Sequence, residues 1–165
     1  MCRRRWGFTP EEQEAEYRAW MDYIKTHIPD AFPGIGNVIR RQRAEGGIVC
    51  VVSHSSIENI TRDYAVHFGI QPDAIFGWDL PEHQRKPHPY PLEAIMARYD
   101  LKPEELLGVD DMKLAWMMCQ PMGVKMAFAA WGKTDFPELA EEMRSICDFS
   151  FDSAKELENF LFREA

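Results

Sequence analysis

Three things are scarce in this sequence, and each scarcity excludes a class of function. No apolar run approaches membrane-spanning length. Positive charge is in deficit, with a net charge of −8 at pH 7. That balance speaks against a general nucleic-acid binder, which needs a basic face. Paired cysteines are absent as well. Cys2, Cys50, Cys119 and Cys147 are scattered, with no C-x-x-C pair, and Cys50 and Cys147 lie in apolar runs as small core residues do. The expected compartment is therefore reducing, the cytoplasm. The basic start Met1-Cys2-Arg3-Arg4-Arg5 is followed by no apolar segment, so it is not read as a secretory signal. What remains is an ordinary globular composition, 45% hydrophobic and 28% charged over 165 residues, enough for one domain with a real core.

The stretch that organises the chain is Leu106-Leu107-Gly108-Val109-Asp110-Asp111. An apolar run ends in two adjacent carboxylates and a helix follows. A buried parallel strand delivers acidic groups to the carboxyl edge of a sheet in this way, where open α/β folds place their sites. Two neighbouring carboxylates repel, so a divalent cation such as Mg²⁺, a nearby Lys or protonation must offset them. Two other residues have the same placement. Ser53 ends the run Ile48-Val49-Cys50-Val51-Val52, and Lys86 follows a short strand in Arg85-Lys86-Pro87-His88-Pro89. A hydroxyl, an ammonium and a carboxylate pair at successive sheet edges suit an anion held beside a metal. Each has a plainer reading: Asp110 and Asp111 as a turn and helix cap, Ser53 as a turn cap, Lys86 as surface charge. His54 and His88 flank the presumed site as loop residues, since neither has a second His or Cys at metal spacing.

The remaining signals alternate. Residues 1–8 carry no structural signal. Thr9-Pro10-Glu11-Glu12 predicts a capped helix start, with Tyr17, Trp20, Met21, Ile24 and Ile28 on one apolar face. A second helix is predicted over 34–45, with Arg40, Arg41 and Arg43 outward. Strands are then predicted at 48–53, 74–77, 106–110, 124–129 and 147–151. Between and after them come helices at about 55–68 (opened by a capping box on Ser55), 91–99, 113–120, 137–144 and 153–162, with a short turn at 102–105. Strand alternating with helix indicates a parallel sheet covered on both faces. The run 48–53 reads as a strand buried on both sides. Trp116, Met117 and Met118 read as helix packing.

These residues together resemble the haloacid dehalogenase superfamily, in particular its phosphoglycolate phosphatase-like and β-phosphoglucomutase-like members, over about residues 30 to 162. Ile48–Ser53 resembles the second motif of that family, a strand ending in Ser or Thr that binds the transferring phosphoryl group. Lys86 in Lys-Pro-His-Pro resembles the third, whose Lys offsets charge on the phosphoryl group and the nucleophile. Val109-Asp110-Asp111 resembles the fourth, which holds Mg²⁺, and the distance on to Gly123, an apolar strand and Trp131-Gly132 also fits. The resemblance implies a Rossmann-like three-layer α/β fold acting on a small phosphorylated metabolite. Catalysis would rest on Ser53, Lys86 and Asp111, phosphate binding on Ser53, His54 and Lys86, and metal binding on Asp110 and Asp111. Lys86 and the double Asp favour a phosphoryl substrate over dehalogenation, which needs no metal. A phosphoacceptor receiver domain combines similar residues, but its acidic pair comes at the first strand.

The family's first motif has no counterpart. It is a strand ending Asp-x-Asp, whose first Asp attacks phosphorus and whose second serves as general acid and base. No Asp-x-Asp occurs in the 165 residues. Ala115 also stands where many relatives carry a further Asp. The resemblance implies that residues 1–29 are a remnant of a helical cap and that 30–165 form the core domain without its first, central strand. The strands 48–53 and 106–110 would then be left with an unpaired edge that favours self-association. The expectation is a hydrolase missing its N-terminal segment and nucleophile. The alternative is a catalytically inactive relative that binds or regulates.

Overall fold

The computed structural model describes residues 9–132 and 135–163; residues 1–8 lie outside the described residues. The backbone divides into two units, one ending at Asp30 and one beginning at Ala31.

The first unit is built on helix α1, Pro10–Thr26. It begins as its sequence dictates. The Glu12 N–H donates to Thr9 Oγ1 at 3.2 Å, and the Thr9 N–H donates to Glu12 Oε2 at 2.7 Å, so two otherwise unpaired donors are satisfied reciprocally. Tyr17, Trp20 and Tyr23 are exposed.

The second unit holds α2 (Ile35–Ala44), β1 (Cys50–Val52), α3 (Ile57–Phe68), β2 (Ala74–Phe76), α4 (Tyr90–Tyr99), β3 (Leu107–Asp110), α5 (Lys113–Cys119), β4 (Lys125–Ala129), α6 (Pro137–Ile146), β5 (Phe149–Phe151) and α7 (Ala154–Leu161). All strand pairs are parallel. The elements predicted from sequence are present, with shorter strands. Helix α3 is capped one residue later than expected: Ser56, not Ser55, accepts the Asn59 N–H.

Among the described residues the strands form two sheets, β1–β2 and β3–β4–β5. In-register neighbours share a face. Leu107, Ala127, Phe149 and Phe151 therefore lie on one side, where Leu107 and Phe151 pack with Val38 of α2 and Ala154 and Leu157 of α7. Gly108, Met126 and Phe128 lie on the other. There Met126 packs with Leu92 of α4 and with Ala115, Met118 and Cys119 of α5, and Phe128 with Met143 of α6. The result is a helix–sheet–helix sandwich, the Rossmann-like arrangement.

The core is not evenly closed. β4 is buried from Met126 to Ala129, while every residue of β1 and β2 is only half-buried. The expectation that 48–53 is covered on both faces is corrected here. β1 has a partner on one edge only, and so has β3, whose Val109 is 40% exposed. Val52 of β1 reaches the cluster of Leu92, Met118 and Met126 beside β3 and β4. The two sheets thus share one core without a hydrogen-bonded ladder between β1 and β3.

Candidate functional site at the carboxyl edge of the strands

Side chains from four loops converge where β1, β2 and β3 end. β3 lifts Asp110 to its last position. One Asp110 oxygen, Oδ1, accepts the Met112 N–H at 2.8 Å, which fixes the turn into α5. The other, Oδ2, accepts from Lys86 Nζ at 2.6 Å. The Lys86 side chain is 8% exposed and that of Asp110 17%. Taking two charges this far out of water is costly, and their mutual hydrogen bond is what compensates. Lys86 is thereby held as a cation at the sheet edge. The plainer reading of Asp110 as a turn cap also holds, through its second oxygen; Asp110 does both jobs.

Lys86 is positioned through its own backbone. His54 Nε2 lies 3.0 Å from the Lys86 carbonyl oxygen, and since a carbonyl only accepts, Nε2 carries the proton. This bond ties the loop after β1 to the loop after β2. Ser53 precedes it in the chain. Its N–H extends the β1–β2 ladder to Phe76 O at 2.9 Å, and its Oγ accepts the Ser55 N–H at 3.1 Å. The hydroxyl proton is left to donate. His88 enters none of these contacts. Asp111 stands beside Asp110 with Gly132 against it. A Cβ at Gly132 would come within 3.0 Å of Asp111 Cβ and 3.2 Å of its Oδ2, so only glycine lets the loop after β4 approach.

Two residues of this edge were not singled out from sequence. Trp78 follows β2, and its N–H donates to Ser55 O at 2.8 Å. Its ring receives the His54 ring edge-on at 5.7 Å, and Arg85 stacks on it with the guanidinium carbon 4.0 Å from the ring centroid. The loop is locked in place at Gly77, where a Cβ would sit 2.9 Å from Ser55 O and from Ile57 N. Asp79 Oδ2 adds a bond from the Ile57 N–H at 2.6 Å. A Trp-x₆-Arg spacing gives no signal in a sequence. Only the fold shows it as a stack.

The donor set bears on Mg²⁺. Among the described residues no group of three or more His, Cys, Asp or Glu is placed to hold a metal. Mg²⁺ needs fewer: one or two carboxylates suffice when phosphate oxygens and water complete its shell. Asp110 and Asp111 fit that role as part of a shell, provided a phosphate supplies the rest.

Fold and edge define an open α/β protein with an anion-handling cluster on its strand ends. The chain belongs to the haloacid dehalogenase-like hydrolases, whose family model matches residues 6–129. Solved structures share the fold at low identity. One described as a predicted phosphoglycolate phosphatase from Haemophilus somnus is 20% identical, with a TM-score of 0.79, over 94% of this chain and 69% of that one. CbbY from Rhodobacter sphaeroides, solved with xylulose 1,5-bisphosphate, is 20% identical with a TM-score of 0.68, over 89% of this chain and 64% of its own. The D,D-heptose 1,7-bisphosphate phosphatase of B. bronchiseptica, complexed with magnesium and phosphate, is 19% identical with a TM-score of 0.63, over 82% and 85%. The chain thus spans about two thirds of the length of the first two. No curated protein matches the sequence.

Proposed function

We propose that this edge binds the phosphoryl group of a small phosphorylated metabolite together with Mg²⁺, as the phosphate half of a phosphatase-class site in the cytoplasm. The observation that carries the reading is the Lys86–Asp110 pair, a buried ammonium 2.6 Å from a carboxylate with a second carboxylate next in sequence. Lys86 offsets phosphoryl charge, and Ser53 donates its hydroxyl to a phosphoryl oxygen. His54 holds the Lys86 loop through its ring N–H and lines the phosphate site. Asp110 and Asp111 hold Mg²⁺, which would neutralise part of the phosphate charge. Phosphoryl transfer is mostly positioning and charge stabilisation, and it also needs a nucleophile in line with the leaving group. None of these residues is one, and the sequence has no Asp-x-Asp.

The nucleophile comes with a further strand that fills the open edges of β1 and β3; residues 1–29 belong with a cap, and 30–165 form the core. Relatives solved with a bisphosphate or with magnesium and phosphate support the phosphoryl and metal assignments. The absence of Asp-x-Asp favours a second reading: an inactive relative that binds phosphate and serves as a regulatory subunit, associating through the same open edges.

Binding and turnover separate these readings. Inorganic phosphate in the presence of Mg²⁺ is expected to bind the 165-residue chain, and Lys86→Met and Asp111→Asn are expected to weaken binding at least tenfold, the scale of one charge-assisted contact. Phosphomonoester turnover is expected only when an Asp-x-Asp strand is supplied. Turnover by the 165 residues alone would overturn both readings. Undiminished phosphate affinity in Lys86→Met would overturn the site.

A further inference from the structure

Arg85 and Lys86 are neighbours in the chain, yet the fold sends their charges to different places. Lys86 turns inward to Asp110. Arg85 turns to the rim and lies on Trp78, an indole 49% exposed. The same residue grips it twice, because Arg85 Nη1 donates to the Trp78 carbonyl oxygen at 3.2 Å while the guanidinium plane covers the ring. Trp78 is itself fixed by its N–H bond to Ser55, by the edge of His54 and by the close approach at Gly77. The guanidinium is therefore pre-organised, with its other N–H groups left outward.

Its lack of a carboxylate partner is informative. Acidic residues outnumber basic ones 27 to 19 in this sequence, and Arg18, Arg41, Arg43, Arg62 and Arg144 each pair with one. Arg85 makes no ion pair among the described residues. An immobilised guanidinium presents parallel N–H donors that match a carboxylate or phosphate, which a mobile surface Arg does only at an entropic cost.

We infer that Arg85, clamped on Trp78, is a second anion-binding subsite at the rim of the phosphoryl site, and that the ligand is a phosphorylated metabolite carrying a second anionic group. This rests on the phosphoryl reading above, and it adds what the rest of the ligand must be. His54, bonded to Lys86 and touching Trp78, spans the two subsites. The second group can be a carboxylate or another phosphate, since both present paired anionic oxygens.

Non-hydrolysable probes make the test independent of turnover. Methylphosphonate, phosphonoacetate and methylenebisphosphonate are titrated calorimetrically into the 165-residue chain with Mg²⁺ in excess. Phosphonoacetate or the bisphosphonate is expected to bind about tenfold more tightly than methylphosphonate, as one charge-assisted bidentate contact would give. Which of the two gains more identifies the second group. Arg85→Gln is expected to erase the gain and leave methylphosphonate affinity unchanged. Arg85→Lys keeps the charge but not the fork or the stack, and is expected to keep part of the gain. No gain in the unaltered chain, or a gain that survives Arg85→Gln, overturns the subsite while leaving the phosphoryl site standing. Failure of all three probes to bind removes the phosphoryl site and the subsite with it.

Discussion

The two sheets of this domain are made of similar residues and end in different states. β4, Lys125–Ala129, has a partner on each edge, and Ala127 and Phe128 are fully buried. β1, Cys50–Val52, is equally apolar, has one partner and is half-buried throughout. Both strands face helices, so composition does not separate them. The difference is the edge. A strand paired on both sides is closed to water by its neighbours, whereas a strand paired on one side exposes a row of N–H and C=O groups and the flanks of its side chains. The sheets do share one construction. Asp73 precedes β2 and Asp148 precedes β5. Asp73 accepts the Val49 N–H at 2.8 Å and Asp148 the Met126 N–H at 2.9 Å. Each carboxylate also pairs with a cation, Arg43 or Lys125. The latch at the amino edge is the same in both sheets, and the closure above it is not.

The sharpest way to break the comparison is a pair of truncations. Phe128→Ala removes a ring with no exposed surface and is expected to cost about 3–5 kcal/mol. Val51→Ala, in a strand already half open to water, is expected to cost about 1 kcal/mol. Urea unfolding of both variants measures the gap, and equal costs would show that β1 is as closed as β4.

Next in size is the link between the sheets. Lys86→Met leaves the Asp110 carboxylate with only the Met112 N–H, and is expected to cost roughly 2–3 kcal/mol, below the full buried-pair value because Asp110 keeps some contact with water. Asp110→Asn in the Lys86→Met background is expected to recover part of that loss. If the double variant is no more stable than Lys86→Met alone, the cost does not come from an uncompensated charge.

A smaller effect tests the shared latch. The Lys125 ammonium and the Met126 N–H hold the Asp148 carboxyl below its ordinary value against a lesser opposing effect of burial. For Asp73, burial pushes upward most strongly, and the Val49 N–H and Arg43 together more than offset it, so the net shift is also downward. A carboxylate whose folded pKa is depressed stabilises the fold above its unfolded value, near 4, and loses that contribution as pH falls through the folded pKa. Asp148→Asn and Asp73→Asn are therefore expected to lower stability at neutral pH and to leave a shallower acid limb below about pH 4. Unfolding midpoints at neutral and acid pH read this directly, and an unchanged acid limb in both variants would remove the latch.

The fold was largely legible because its signals are local. The Thr9–Glu12 box, the helical spacings and the apolar runs each report within a few residues. Asp110 and Lys86 could be marked as candidates for the same reason, since each stands at the end of a strand signal. What could not be read depends on distant residues meeting. Ile48–Ser53 predicts a closed strand, and only the pairing shows its open edge. Nothing in the sequence links Trp78 to Arg85, or His54 to the Lys86 carbonyl, because those contacts are set by how three loops stack. Ser56 displaced Ser55 as the cap of α3 because Ser55 is engaged elsewhere: its carbonyl accepts Trp78 and its N–H reaches Ser53.

The cysteines give the smallest test, and a graded one. Burial pushes the Cys50, Cys119 and Cys147 thiols up to about 11 in each case, so at pH 7.5 the thiolate that alkylating reagents require is scarce, roughly a thousandth or less. Access then ranks them. Cys119 is 1% exposed beneath β3 and β4, whereas Cys50 lies in the half-open β1 and Cys147 is half-buried before β5. Iodoacetamide under native conditions is expected to leave Cys119 unlabelled, to label Cys50 and Cys147 slowly, and to label all three at once in urea. Peptide mass mapping over time gives the order. Labelling of Cys119 ahead of Cys50 would mean that the three-stranded sheet opens before the two-stranded one, which reverses the ranking of the two regions.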